Sequence, residues 1–374
     1  MLEQEETFVT VRFGVVGLRR GASFVRVCST ATGATVSALF DINAEAVGTA
    51  AAEIGARPFS DYGAFLNANI DAVVIASPLS FHAGQAAQAL RAGKHVLSEV
   101  TACLDLAQAA ELVAAARESS AVYMMAENYR YLDEVELLKR LSDDGRFGDL
   151  YFLEGEYLHD CKDLWFDRDG NLTWRGRGEL GVYCTHSLGP LLYITGDRVN
   201  TVSCVEVPGG KFREDNLNPT MHLMQMVTDK GTVMRVRVDH VSPRPHQMAY
   251  YSAQGTRGSF ESWRGHGDTS KIWLEDEHEP SRVSGEGAQW HDTGPFAERY
   301  IPERLAVPAE ASFGGHGTSE YWMLRDFLAA VRGEIASPID IDRAMDYTLP
   351  GVVAIESARA AGTPIAVPDS RLFS

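Results

Sequence analysis

Two short stretches of this 374-residue chain bring together side chains that exchange protons near neutral pH. One is Tyr157-Leu-His159-Asp160, closing the alternating run Leu150–Tyr157. The other is Gly178-Glu-Leu-Gly-Val-Tyr183-Cys-Thr-His186-Ser-Leu-Gly-Pro190, which leads into a helix (Leu188, Leu191, Leu192, Ile194) stopping at Gly196. Pro190 suits only the beginning of that helix, where its missing N–H breaks no bond. Tyr183 and His186 are therefore expected around a helix N-terminus. The positive dipole end there disfavours imidazolium and leaves His186 neutral, able to accept a proton. A histidine that caps the helix or packs on a sheet fits the same residues.

A second chemistry is written in Val11-Arg-Phe-Gly-Val-Val-Gly-Leu-Arg-Arg-Gly-Ala22 and in Asp41, 24 residues beyond Gly17. An apolar strand (Phe13, Val15, Val16) is followed by a glycine turn and a helix opening near Gly21–Ala22. That order brings bare backbone to a pyrophosphate and offers it a helix N-terminus. In the G-x-G-x-x-G/A pattern the positions are Gly17, Arg19 and Ala22, so arginine replaces the middle glycine and either crowds the pyrophosphate or pairs with it. Gly17, Arg19, Arg20, Gly21 and Ala22 are the candidates on this side. Asp41, at the end of Val36–Phe40, can accept both adenosine ribose hydroxyls and would repel a 2′-phosphate, which favours NAD(H) over NADP(H). An ordinary strand-to-helix turn is the plainer reading.

The elements that must position these groups differ between the two halves. Up to Asn128, apolar strands (Val36–Phe40, Asp71–Pro78 closed by its proline, Val96–Leu97, Val122–Ala126) alternate with helices (Ala44–Ile54, His82–Ala92, and one through Ala116). This rhythm predicts an α/β domain with a doubly wound parallel sheet, ligands binding at the carboxyl ends of its strands. Ser77, Pro78, His82, Glu99 and Asn128 fall at such ends and are cofactor-side candidates, although His82 could simply cap or pack at its helix start. From about residue 148 the period becomes two. Thr201–Val207, Met221–Thr228, Thr232–Val241 and Met248–Ala253 read as strands of a large, mostly antiparallel open sheet in an α+β domain, with a hairpin at Asp229-Lys-Gly231. Helices on one side only would leave a face for a partner subunit, so a homo-oligomer is expected. The tail reads as a helix (Ser319–Arg332), an extended piece at Pro338–Ile341, a helix kinked at Pro350 (Arg343–Ala361) and a closing Ile365-Ala-Val-Pro. The expected domains are 1–130 and 131–374.

Composition bounds the rest. The chain is 45% hydrophobic and 23% charged, with no apolar run of membrane-spanning length and an acidic start unlike a signal peptide. A net charge of −17 argues against nucleic-acid and anionic-membrane partners. The five cysteines (28, 103, 161, 184, 204) lack Cys-x-x-Cys spacing, which suits reduced thiols in a cytoplasm and no metal site.

Taken together, Asp71…Ser77-Pro78…His82, Ala92-Gly-Lys-His-Val-Leu-Ser-Glu99 and Ala126-Glu-Asn128 resemble the Gfo/Idh/MocA family of NAD(P)-dependent sugar enzymes. The resemblance implies a Rossmann domain and a second domain on a large open sheet. Family dehydrogenases usually follow the glutamate with Lys-Pro, the lysine serving as acid/base; here the place reads Glu99-Val100-Thr101. Glu-Val, the Tyr-x-His-Asp segment, the Tyr-x-Thr-His-x-Leu-Gly-Pro run and Gly315-His316-Gly317 resemble the branch of NAD-dependent glycoside hydrolases typified by α-N-acetylgalactosaminidases. This branch usually has proline at the place of Cys184.

That resemblance implies Tyr157, His159, Tyr183 and His186 beside a sugar, with oxidation at its 3-position, loss of the 2-proton, elimination of the aglycone, water addition and re-reduction. His186 takes the base role at the 3-hydroxyl, and Tyr157 or Tyr183, helped by His159 or the helix end, the role at the 2-proton. Trp174 could stack on a sugar face, and Lys162 and Arg175 could bind an anionic substituent, with His316 a further substrate candidate. Asp160, Asp163, Asp167 and Asp169 make an exposed, charge-balanced loop the alternative. Sulfoquinovosides and N-acetylhexosaminides are the substrate classes implied. A sugar dehydrogenase with net oxidation and a non-catalytic sugar or NAD sensor are the other functions open, while His222, His240 and His246 read as structural.

Overall fold

Apolar runs alternating with alanine-rich helices build a six-stranded sheet in which every neighbouring pair is parallel. The computed structural model describes residues 10–167, 169–177, 180–212, 214, 218–245, 247–277, 288–307, 311–312 and 316–373. In chain order the first elements are β1 (Val11–Val16), α1 (Leu18–Thr30), β2 (Ala34–Phe40), α2 (Ala44–Ile54), β3 (Arg57–Phe59), α3 (Tyr62–Leu66), β4 (Ala72–Ile75), α4 (His82–Arg91), β5 (His95–Glu99), α5 (Leu106–Glu118) and β6 (Tyr123–Ala126). The sheet order β3-β2-β1-β4-β5-β6 reverses between β1 and β4, the switch point at which such sheets bind ligands. Strand β4 is buried along its whole length, as a strand covered on both faces must be. Local signals set the helices: Asn43 accepts the Ala46 N–H at the start of α2, and Gly55 ends it in the left-handed conformation.

The chain continues through α6 (Asp133–Asp143), β7 (Leu150–Leu158), α7 (Trp174–Arg177), α8 (Thr185–Thr195), β8 (Val199–Val207), β9 (Met221–Thr228), β10 (Val233–Asp239), β11 (Ala249–Gly255), β12 (Gly258–Glu261), β13 (Lys271–Leu274), β14 (His291–Asp292), α9 (Gly294–Tyr300), α10 (Pro302–Leu305), α11 (Ser319–Val331), α12 (Ile341–Arg359) and β15 (Ile365–Ala366). Its strands form a nine-stranded sheet, β14-β13-β12-β11-β7-β10-β9-β8-β15. Only β7 with β10 is parallel; the other neighbouring pairs are antiparallel. Alternation sorts its faces. Met234, Val236 and Val238 are buried, whereas Arg235 pairs with Glu154 (2.5 Å) and Arg264 with Glu156 (2.6 Å) on the other face.

Two compact units result, and they are not divided by one cut after residue 130. Residues 1–128, 308–345 and 370–374 make the first; 129–307 and 346–369 make the second. The C-terminal segments enter the first unit because α11 carries an apolar face of its own for α1 and β1. Phe327 packs on Phe13 with ring centroids 5.9 Å apart, and Glu320 reaches Arg20. The piece at Pro338 forms no strand, but Ile339 C=O accepts the Met125 N–H. Ile365–Ala366, at the other end, pairs antiparallel with β8.

Helix α8 departs from expectation. Pro190 lies one full turn inside it, not in its first turn, so its missing N–H leaves the His186 carbonyl without a helical donor. Tyr251, on the helix-covered face of β11, donates its hydroxyl to that carbonyl at 2.6 Å. Gly155 lets β7 come this close: a Cβ there would stand 2.3 Å from the Ser187 carbonyl oxygen. Helix α12 likewise runs on through Pro350, and a Cβ on Gly351 would meet Cys184 Sγ at 2.8 Å. Replacing Tyr251 with Phe should therefore orphan a buried carbonyl and cost about 1–3 kcal/mol. The check is the urea midpoint, and an unshifted midpoint would mean that Tyr251 is not the needed donor.

Candidate functional site

The first unit holds a nucleotide cradle. Gly17 has φ 83°, and a Cβ on it would lie 2.6 Å from the Ala76 carbonyl oxygen, so both backbone and space demand glycine. This one residue makes the whole turn, and α1 therefore begins at Leu18, not near Gly21–Ala22. The glycine that lets α1 pack on β1 is Gly21, whose Cβ would lie 2.7 Å from Val15 Cγ1; Ala22 is exposed. The working spacing is thus Gly17 to Gly21, with Arg19 exposed in the first helical turn.

Asp41 accepts the Leu18 N–H on one oxygen and the Asn43 N–H on the other, each at 2.9 Å. A carboxylate has about four acceptor positions, so capacity for ribose hydroxyls remains. Asn128 is buried, and its Nδ2 has no hydrogen-bond partner among the described residues. The bare turn, the half-used carboxylate and this orphaned amide fit a dinucleotide. The Arg20 guanidinium is spanned between Glu99 (2.7 Å) and Glu320 (2.8 Å), which outweighs burial and raises its pKa. Its charge is thereby committed to fixing Glu99. Burial pushes Glu320 up, but His316, with Nδ1 at 3.4 Å, and Arg20 together hold it below the usual carboxylate range. His316 thus stands in this first-unit charge network. Ser77 Oγ donates to Gln85 (2.6 Å), and its carbonyl faces His82 Nε2 at 2.7 Å. His82 Nδ1 faces the Thr101 carbonyl at 3.1 Å, so the ring ties the loop after β4, including Pro78, to the loop after β5.

The second unit holds the candidate proton-transfer groups. Tyr157 projects from β7 onto the helix-covered face, and His186 is the second residue of α8. Tyr183 stands in the tight helical turn Leu180–Cys184 just before it. Ring centroids place His186 5.2 Å from Tyr157, 5.1 Å from Tyr183 and 4.1 Å from Tyr129, on which it stacks. The Tyr157 hydroxyl lies 3.0 Å from His159 Nδ1. Burial, then Tyr183, Tyr129 and Cys161, push the Tyr157 phenol well above its ordinary value, Arg175 opposing. Tyr157 therefore keeps its proton at neutral pH, and any base role needs His159 to take that proton on.

Two further rings pack into this cluster, Tyr129, which the sequence reading did not name, and His240, which it read as structural. Tyr129 directly follows the strand-end Asn128, a position that could have flagged it; His240 completes the cluster against Tyr157 and Tyr183. The anionic-substituent candidates separate. Lys162 is half-exposed and paired with Asp160 at 3.0 Å, whereas Arg175 acts electrostatically on Tyr157, Cys161 and His240. The side chain of Trp174, together with Gly178, His246 and Gly315, lies outside the described residues. His222 is buried under Gly181, and desolvation lowers it to about 4. Among the described residues no three His, Cys, Asp or Glu groups converge as metal ligands, and no helix is long and apolar enough to cross a membrane.

Residues 11–127 match the model of the oxidoreductase family with an NAD-binding Rossmann fold, Gfo/Idh/MocA. Residues 210–371 match the C-terminal domain of glycosyl hydrolase 109. The chain thus matches two family models, one in its N-terminal part and one in its C-terminal part. A glycosyl hydrolase family 109 protein of Saccharopolyspora erythraea is 28% identical, over 97% of this chain and 84% of that protein. An α-N-acetylgalactosaminidase of Shewanella oneidensis is 25% identical over 96% and 84%. Among solved structures, an oxidoreductase domain protein from Kribbella flavida superposes with TM-score 0.82 at 19% identity, covering 96% of this chain and all of that one. Levoglucosan dehydrogenase, in complex with NADH and levoglucosan, gives 0.80 at 22% over the same shares.

Two outcomes follow. Asp41→Ala should weaken NADH binding tenfold or more in a fluorescence titration; unchanged affinity would remove Asp41 from the cradle. His222 is held neutral in the folded state but gains a proton when unfolded below about 6.5. Its contribution is complete above that pH and is lost as pH falls toward about 4. His222→Phe should flatten the fall of the urea midpoint across this window, and an equally steep fall would assign acid sensitivity elsewhere.

Proposed function

We propose that this chain is an NAD-dependent glycosidase acting by transient oxidation at the sugar 3-position, with N-acetylhexosaminides as the first substrate class to test. The carrying observation is the convergence of Tyr157, His159, Tyr183 and His186 on one face of the second unit, while Val100 is buried and has no proton to exchange. The glycosyl hydrolase 109 domain and the Shewanella relative support the hydrolase reading. The cradle around Gly17, Asp41 and Asn128 would hold NAD, which would supply reversible hydride acceptance.

The chain's own groups manage the protons. His186 takes the proton of the 3-hydroxyl as that carbon is oxidised. The ketone so formed acidifies the 2-position. Tyr157 accepts that proton only as it passes its own to His159, across the 3.0 Å contact, so phenol and imidazole act as one base. Tyr183, against both Tyr157 and His186, holds the two rings in place. The aglycone leaves, water adds and the same groups run in reverse. Arg175 gives the site a cation for an anionic substituent, which keeps sulfoquinovosides on the test panel.

Purified protein with NAD and a panel of nitrophenyl glycosides should release nitrophenol without accumulating NADH. NADH build-up on free sugars would make it a dehydrogenase, and neither signal would point to a sensor. His186→Ala should lower turnover at least a thousandfold while NADH still binds; a nearly normal rate would remove His186 from the mechanism.

A further inference from the structure

His240 is a cost to the fold that packing does not explain. It follows β10, on the parity of Val236 and Val238, and is 1% exposed. Its backbone is tied on both sides: its N–H donates to the Thr220 carbonyl at 3.1 Å, and its carbonyl accepts the Cys161 N–H at 2.8 Å. The ring is wedged against Tyr157 and Tyr183, with centroids 5.6 and 5.7 Å away. Yet among the described residues neither Nδ1 nor Nε2 has a hydrogen-bond partner. Buried imidazole nitrogens left unpaired destabilise a protein, and phenylalanine would fill the same space without that penalty. An orphaned group in such a place is explained by a partner that arrives with ligand or solvent.

The nature of that partner follows from the surroundings. Burial, Arg175, His222, His159 and His186 all act against protonation of His240, so the ring is neutral. A neutral imidazole offers one donor and one acceptor, and a hydroxyl or a water, itself both donor and acceptor, can satisfy either nitrogen. Among the described residues His222 also has unpaired ring nitrogens, but Glu206 lies 3.8 Å from its Nε2, and the ring contacts that join Tyr157 and Tyr183 are with His240.

We infer that His240 is a positioning residue of the proton-transfer site, its ring nitrogens taking an uncharged hydroxyl, of a sugar or of an ordered water, and thereby fixing Tyr157 and Tyr183. This rests on the proposed glycosidase reading for its kinetic consequence but not for the contact itself.

The test has two arms. A crystal of the wild-type protein soaked with N-acetylgalactosamine should place a water or sugar oxygen within hydrogen-bond distance of a His240 ring nitrogen; a dry ring would overturn the inference. In the second arm, His240→Phe should unfold at the same temperature as wild type or higher. Its kcat on the best nitrophenyl glycoside should fall tenfold or more, with KM within twofold. His240→Gln, which keeps a donor and an acceptor, should recover part of that loss. A stable His240→Phe protein with full kcat would assign the ring to packing. If wild type itself releases no nitrophenol, the glycosidase reading fails, and the crystal arm still decides the role of His240.

Discussion

Desolvation governs the second unit. A phenol or an imidazole has a neutral form that survives burial, whereas a lone ammonium or carboxylate in the same place would need a counter-charge. Tyr157, His222 and His240 are all driven toward their neutral forms, chiefly by burial. In the first unit Arg20 keeps its charge because Glu99 and Glu320 flank it. One unit thus holds paired charge beside a nucleotide cradle, and the other holds uncharged groups that can pass protons.

Close backbone approach makes both arrangements possible. Gly17 and Gly21 seat α1 against the sheet, and Gly155 and Gly351 let β7 and α12 meet the segment carrying Tyr183 and His186. That segment is held by an exchange of bonds. Proline removes the donor that the His186 carbonyl would have had, and Tyr251 replaces it from a strand 65 residues away in sequence. The histidine proposed as base is therefore anchored through its own carbonyl to the sheet.

Much of this was legible in the residues. The strand–glycine–helix order marked the turn because the need for positive φ and close packing admits few residue types there. β9 and the Asp229–Gly231 hairpin follow directly from period-two alternation and a glycine at φ 87°. The short β3 and α3 and the strands beyond β11 left weaker marks, being only a few residues long.

By itself the amino-acid order determined the element types, the nucleotide turn and the residues able to move protons, because those depend on local backbone geometry and side-chain chemistry. Which glycine does the packing, that Pro190 lies inside its helix, that the C-terminal helix α11 joins the first unit, and that the rings of Tyr129 and His240 pack against Tyr157, Tyr183 and His186 were decided only by the tertiary structure. The physical reason is that each depends on atoms distant in the chain: Val15 against Gly21, Tyr251 at the His186 carbonyl, Phe13 on Phe327, and the two tyrosines that enclose His240.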